Sequence, residues 1–378
     1  MTQRPVAESE LAPLTGASND PQLVAALKLV GANRYVAVGT RDTVLLAKDL
    51  ERGMRTGQAV IGLVTTQGHY LLVAESEKLG AASPPPEGAL PGTDAAPADR
   101  KLLGWSNAAD SRSIRTGASV PIQQGLIQTA GGACSGAAIG RRLVRTAAHC
   151  VIQSSAAGGS PIGTVNYFQA VSGNVARAID ATSSFFYGGQ YISKGCGTTV
   201  GMDPWAGFRA NRDSCILDDW AILILSTDWY SEAGGTSWYG FIAPLASGNL
   251  NNVLISGGYP GCDDFLNANG TNNDNMLLED PANCRTNPNA YWQTMNTVDS
   301  NCKIGAWIAS DFSTFRSGCD VSPGNSGGPA LNGSGNVVAN WSWQDCSTCT
   351  STTNFPNRFF ATNTWMFNFQ VQLRNDYP

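Results

Sequence analysis

Histidine is almost missing from this sequence: His69 and His149 are the only two in 378 residues. That scarcity argues against zinc or any histidine-rich metal site. It also confines imidazole-based acid–base chemistry to two positions. The single Cys-x-x-Cys, Cys346 with Cys349, lacks a second clear pair, so no metal or cofactor is expected. Charge is sparse as well. Charged residues make up 14% of the chain, against roughly 25% in an average globular protein. Net charge is −5 with Lys and Arg spread along the chain, which leaves no basic footprint for nucleic acid. No apolar run reaches the ~18–20 residues of a membrane span. The opening MTQRPVAESELAPLTGAS is acidic and has no continuous apolar core of the kind a secretory leader carries.

Cysteine is absent from the first 133 residues, and all ten lie between Cys134 and Cys349. An even number confined to one segment predicts up to five disulfides in one domain. Such a domain folds in an oxidising compartment, so the chain is expected to be secreted or periplasmic.

The texture changes along the chain. Residues 21–30 carry apolar residues at helical spacing, and residues 34–40 alternate like a strand. Residues 42–54 read as a helix with Asp42 as N-cap, and residues 59–66 and 69–76 as a hairpin around Gln67-Gly68. Residues 1–80 thus form a small α/β unit, of a size marginal for independent stability. Residues 81–110 are rich in Pro, Ala and Gly and read as a linker. From 111 to 378 short β-rich segments alternate with Gly, Asn and Ser turns, the pattern of a barrel or sandwich. Residues 363–375 predict a terminal amphipathic helix.

Two short segments carry chemistry. Cys134 to Cys150 runs CSGAAIGRRLVRTAAHC, with an apolar strand (Ala138, Leu143, Val144) leading to a small-residue turn that ends in His149. A Cys134–Cys150 disulfide would clamp the loop that carries the imidazole, as a general base requires. The second segment is CDVSPGNSGGP, Cys319 to Pro329. Glycines flanking Ser326 permit a tight turn and close approach of backbone to a substrate. The amides of Gly324 and Ser326 could then converge on one oxyanion.

The run Thr146-Ala147-Ala148-His149-Cys150 with Cys134 upstream resembles the first-barrel signature of the chymotrypsin family. The GNSGG turn follows in that family's order. The resemblance implies a mainly β fold, a chymotrypsin-like double β-barrel with a C-terminal helix, here preceded by the small N-terminal α/β domain. It also implies a monomeric serine endopeptidase acting on protein or peptide substrates. Ser326 would be nucleophile and His149 general base. In DDWAILIL the acid before the apolar strand would be Asp219, with Asp218 as the alternative. Asn340-Trp341-Ser342-Trp343-Gln344 resembles the strand lining the family's cleft. There Ser342 would bond the buried aspartate, and backbone groups of Ser342 and Gln344 would pair with an extended substrate beside Trp343.

Asp320, six residues before Ser326, stands where a trypsin-like enzyme keeps the acid that selects Arg or Lys. An aspartate at this offset also occurs without that role in the glutamyl-endopeptidase-like branch, to which Asn325 in place of the usual aspartate points. Residues 1–105 are expected to be a pro-region or accessory domain, with Arg112 and Arg115 as processing sites. Asn269, Asn332 and Asn340 head glycosylation sequons. The Asn- and Asp-rich stretch 262–289 matches no calcium loop.

Overall fold

A computed structural model describes residues 19–38, 58–75, 113–115, 117–156, 159–172, 175–201, 203, 205–229, 238–242, 253–259, 296–307, 314–317, 319, 321, 324–344, 357–362 and 364–377. The expected helix at 42–54, the linker and the stretch 262–289 lie outside them.

The N-terminal unit begins with helix α1 (Pro21–Val30). Asp20 caps it by accepting from the amides of Gln22 (2.9 Å) and Leu23 (3.3 Å), Pro21 opens it, and Gly31 closes it at φ 60°. Three strands follow, β1 (Ala32–Ala37), β2 (Gln58–Val64) and β3 (His69–Glu75). They pair antiparallel in the order β1-β3-β2. The β2–β3 turn is tied to the helix because Thr65 Oγ1 donates to Asp20 at 2.6 Å.

The next strands are β4 (Ser113–Arg115), β5 (Gln124–Thr129), β6 (Gly132–Gly140) and β7 (Leu143–Thr146). A two-stranded ribbon, β8 (Ile152–Gln153) with β9 (Ser160–Pro161), follows His149. Then come β10 (Val165–Gln169), β11 (Ala178–Thr182), β12 (Phe185–Gly188) and β13 (Ala221–Ile224). Strands β12-β13-β7-β6-β5-β10-β11 pair in that order. Because β11 runs into β12 with only residues 183–184 between, the two act as one long strand at the join and the seven labelled strands wrap into a cylinder. The Thr182 hydroxyl, donating to the Ile224 carbonyl at 2.6 Å, holds the corner.

The second cylinder contains β14 (Val253–Gly258), β15 (Asn296–Trp307), β16 (Thr314–Ser317), β17 (Pro329–Leu331), β18 (Val337–Gln344) and β19 (Asn357–Ala361). Their order is β14-β17-β18-β19-β16-β15, closed by the β14–β15 pairing, with β4 added outside β15. Helix α4 (Thr364–Asp376) ends the chain. This mainly β double barrel with a C-terminal helix is the architecture that the resemblance implied.

Arg115 faces Asn296 in the β4–β15 ladder, so scission directly after it would leave a paired strand end. Arg112 lies outside the described residues.

The N-terminal sheet continues into the first barrel. Strand β2 pairs antiparallel with β12, with Val64 opposite Phe185, Leu63 opposite Phe186, Gly62 opposite Tyr187 and Ile61 opposite Gly188. Both faces of β2 are covered. Val60 and Val64 join the core that holds Phe185 and Tyr187, while Ile61 and Leu63 join the one that holds Leu27, Phe186 and Phe369. At the seam His69 Nε2 lies 2.6 Å from the Tyr187 hydroxyl.

Burial lowers the His69 imidazole from its ordinary 6.5 to about 4. The folded chain therefore favours neutral His69. Its contribution to stability is complete above pH 6.5 and is lost as pH falls from 6.5 towards 4, where the unfolded chain takes up a proton first. Urea titrations across pH 4–7 are expected to show this decline, and His69→Gln should flatten it. An unchanged decline in the variant would assign the titration to another group.

Candidate active site

The site forms where the two barrels meet, and its first half comes from the first barrel. Antiparallel pairing sets Thr146 of β7 opposite Ala221 of β13. His149, three residues after Thr146, and Asp219, two residues before Ala221, are thereby brought to the same end of the barrel. The Asp219 carboxylate accepts from the His149 amide at 2.9 Å and lies 2.8 and 3.0 Å from His149 Nδ1. One carboxylate thus holds both the backbone and the ring of the histidine. The ring bond favours the tautomer with its proton on Nδ1, leaving Nε2 as the basic nitrogen.

Asp218, the alternative acid, is turned elsewhere and pairs with Lys194 at 2.5 Å. The segment leading to Asp219 is restrained too. Helices α2 (Ala206–Ala210) and α3 (Arg212–Ile216) precede it, and Cys215 in α3 is bridged to Cys196. The Asp219 amide donates to the Ile216 carbonyl at 3.2 Å.

Asp219 is fully buried. A carboxylate removed from water needs several donors to offset its lost hydration. The second barrel supplies one in the Ser342 hydroxyl of β18, which donates to Asp219 Oδ2. Asn340 Nδ2, on the same strand, donates to the Asp219 carbonyl at 3.4 Å. Asn340 is itself buried, so its side chain is a structural donor rather than an accessible glycosylation acceptor. Its Oδ1 accepts from Arg145 Nε at 3.0 Å. The 1%-exposed Arg145 guanidinium also reaches the Phe360 carbonyl and the Thr362 hydroxyl, bracing β7 against β18 and β19.

The serine turn is pressed onto β6 and β7. The Ser135 amide donates to the Ser326 carbonyl at 2.7 Å, and the Ser135 hydroxyl donates to the Gly324 carbonyl at 2.7 Å. Cys150 Sγ lies 3.7 Å from the same Ser326 oxygen, one residue beyond His149. Cys150 is bridged to Cys134, the pairing inferred from the clamp. Gly327 has φ +78°, and a Cβ there would sit 2.1 Å from Thr146 Oγ1 and 2.5 Å from the Ser135 carbonyl. Only glycine lets this turn close on the histidine strand. Gly324 also has positive φ, +96°.

Ser326 is 7% exposed. The described hydrogen bonds of His149 all run to Asp219, none to Ser326. Such bonds are often long in resting enzymes and tighten around substrate.

Next to His149 stands an aromatic wall that sequence reasoning missed. Trp205 and Phe208, from the α2 segment, lie 5.3 and 6.4 Å from the imidazole, both edge-on. Phe208 stacks on Trp343 at 4.6 Å and 24°. Trp343 thus packs against the two rings that stand beside the histidine, with its centroid 5.6 Å from that of Trp205. Arg145 was missed also; it lies in the strand Leu143–Thr146, every residue of which is buried. Strand β18 pairs with β17 as far as Asn340, and Trp341 exchanges bonds with Gly327 and Gly328. Beyond Trp341, among the described residues, no strand flanks β18 on that side, while Trp343 and Gln344 pair with β19 on the other. Asp320 lies outside the described residues, and Gln344 is described for its backbone only.

Cys134, His149 and Cys150 lie close enough to suggest a metal cluster, but both sulfurs are committed to the disulfide and supply no thiolate. Cys319 is also disulfide-bonded. Among the described residues no helix is long and apolar enough to cross a membrane.

No family model matches the chain, and no curated protein does. Among solved structures it is similar to a Glu endopeptidase, at 15% identity and a TM-score of 0.46, over 71% of this chain and 98% of that one. It is also similar to the protease Anisep from Arthrobacter nicotinovorans (15%, 0.42, 70% and 98%). A third is the thermostable serine protease AL20 from an extremophilic microorganism (18%, 0.40, 67% and 95%). These likenesses are distant, and the functional reading rests on the residues themselves.

The disulfide at the site gives a direct stability test. Bridging positions 16 apart is worth about 3 kcal/mol in the chain-entropy account. Replacing Cys134 and Cys150 together by Ala should lower unfolding free energy in urea by about that amount. A loss near zero would mean that the Ser135 and Asp219 contacts alone hold the loop.

Proposed function

We propose that the chain is a serine endopeptidase of the chymotrypsin-like type, secreted or periplasmic, which hydrolyses peptide bonds through an acyl-enzyme. One observation carries the reading: a fully buried Asp219 holds His149 by two groups while Ser342 holds Asp219, and the glycine-bounded turn of Ser326 is folded against the same loop.

In this mechanism Ser326 Oγ attacks the scissile carbonyl and passes its proton to His149 Nε2. Asp219 stabilises the imidazolium that results and keeps the ring in place. The amides of Gly324 and Ser326 receive the developing oxyanion. The imidazolium then protonates the leaving amine. Water, deprotonated by His149, releases the acid and restores the serine. An extended peptide fits the open edge of β18 at Ser342 to Gln344, where it would add as a strand beside Trp343. That edge favours a peptide over a small ester. The disulfides Cys134–Cys150 and Cys196–Cys215 suit an oxidising compartment.

The test uses a serine-directed fluorophosphonate and a peptide library on wild type, Ser326→Ala and Asp219→Asn. Wild type should label at one site and cleave peptides, and Ser326→Ala should do neither. Asp219→Asn should lose about 10⁴-fold in kcat through the wrong histidine tautomer. Labelling without peptide cleavage would replace the peptidase reading by an esterase. No labelling of the full chain would point to a silent binding module.

A further inference from the structure

The N-terminal unit is seated as part of the barrel, and the manner of seating bears on its fate when the chain is cut. Three independent contacts join it to the rest. The first is the β2–β12 ladder, running from Ile61–Gly188 to Val64–Phe185. It is extended by the Gly189 amide, which donates to the Val60 carbonyl at 3.2 Å. The second is side-chain bonding across the seam, His69 to Tyr187 at 2.6 Å and the Ser184 hydroxyl to Gln22 Oε1 at 3.1 Å. The third is apolar. Leu23, Leu27 and Val30 of α1 share one buried cluster with Met366, Phe369 and Leu373 of α4.

Neither side is closed without the other. Removing β2 would open the edge of β12 and uncover Phe186, which is fully buried. Removing the barrel would leave β2 with apolar residues on both faces, in a unit too small to bury them alone. Fit at the seam is tight: a Cβ at Gly62 would come within 1.9 Å of the Tyr187 ring.

We infer that residues 19–75 are a retained, non-covalent subunit of the protein once the chain is broken between 76 and 112, and not a segment that departs. Hydrolysis there adds water across one peptide bond, leaving a carboxylate on one fragment and an ammonium on the other. None of the three contacts depends on that bond. The unit also backs the site's wall, because Val60, Val64, Leu71 and Val73 pack in the cluster that contains Tyr187, Tyr191 and Phe208.

The test places a recognition sequence for a site-specific protease within 81–100 of the full chain. The cut protein is passed over a sizing column, and each peak is read by intact mass. Both fragments are expected in one peak at the size of the uncut chain, surviving 100-fold dilution and separating only in denaturant. Release of the small fragment, with the large one folded at the uncut melting temperature, would overturn the inference. Gly62→Val should release the cut fragment at least ten times faster, and a release rate equal to wild type would sink the seam assignment. Where that variant fails to fold uncut, amide exchange on uncut wild type decides. Leu63 should be protected like Leu223 of β13, and exchange a hundredfold faster would overturn the proposal. The result is separable from the peptidase reading. A retained pair that labels with no fluorophosphonate defeats that reading alone, and a released fragment leaving an active remainder defeats only this one.

Discussion

A single carboxylate, taken wholly out of water, organises the meeting of the two barrels. Asp219 can be buried only because donors converge on it from separate parts of the chain: the His149 amide and ring from the first barrel, and the Ser342 hydroxyl from the second. Each donor left without it would be a buried polar group lacking a partner, at roughly 1–3 kcal/mol apiece. Stability and the proposed chemistry therefore draw on the same bonds. The barrel interface cannot slip without unpairing the carboxylate, and the histidine cannot swing away without uncovering it. Arg145 and Asn340 extend this lock behind the site, binding the histidine strand to β18 through groups with no access to substrate.

Ser135 does the corresponding work for the serine turn. One residue beside the Cys134–Cys150 bridge, it donates through its amide to Ser326 and through its hydroxyl to Gly324. The Tyr259 amide in turn donates to that hydroxyl at 2.7 Å. The turn thus rests on the same strand that is disulfide-bonded next to His149. Gly327 is required because Thr146, three residues before that histidine, occupies the space a side chain would need. The glycines around the serine are set as much by this contact with the first barrel as by any approach of substrate.

What was legible in the sequence was local. His149 with its two cysteines and Ser326 with its glycines each sit in one short continuous segment, and turn chemistry and spacing carry them. Helices α1 and α4 were readable from the spacing of their apolar residues. Asp219 was preferred to its neighbour Asp218 through the family resemblance, and composition and spacing alone offer no reason to choose between them. Their difference is one step of register, which turns one carboxylate to the histidine and the other to Lys194. Trp205 and Phe208 were invisible because no motif announces them. They reach the histidine from within the loop that the Cys196–Cys215 bridge closes. The seam between β2 and β12 was hidden for the same reason, since strand pairing across 120 residues leaves no local trace. One sign was present. AVIGLV is apolar at nearly every position, where a strand with one wet face would alternate.

That unbroken apolar run connects the N-terminal unit to the site by a physical route. A strand buried on both faces must be covered on both. One face of β2 is covered with α1 and α4, and the other by the cluster that includes Tyr187, Tyr191 and Phe208. Phe208 stands edge-on to His149 with ring centroids 6.4 Å apart and stacks on Trp343 of the proposed substrate strand. Interiors packed to crystal-like density transmit displacement, because a side chain cannot shift without moving its neighbours. Strand β2 packs in the cluster that also holds Phe208, while the hydrogen bonds of Asp219 hold the imidazole at Nδ1. The histidine thus has two supports, one apolar and supplied by Trp205 and Phe208 of the α2 segment, with β2 and β3 contributing to the cluster that holds Phe208, the other polar and contributed by the barrel interface.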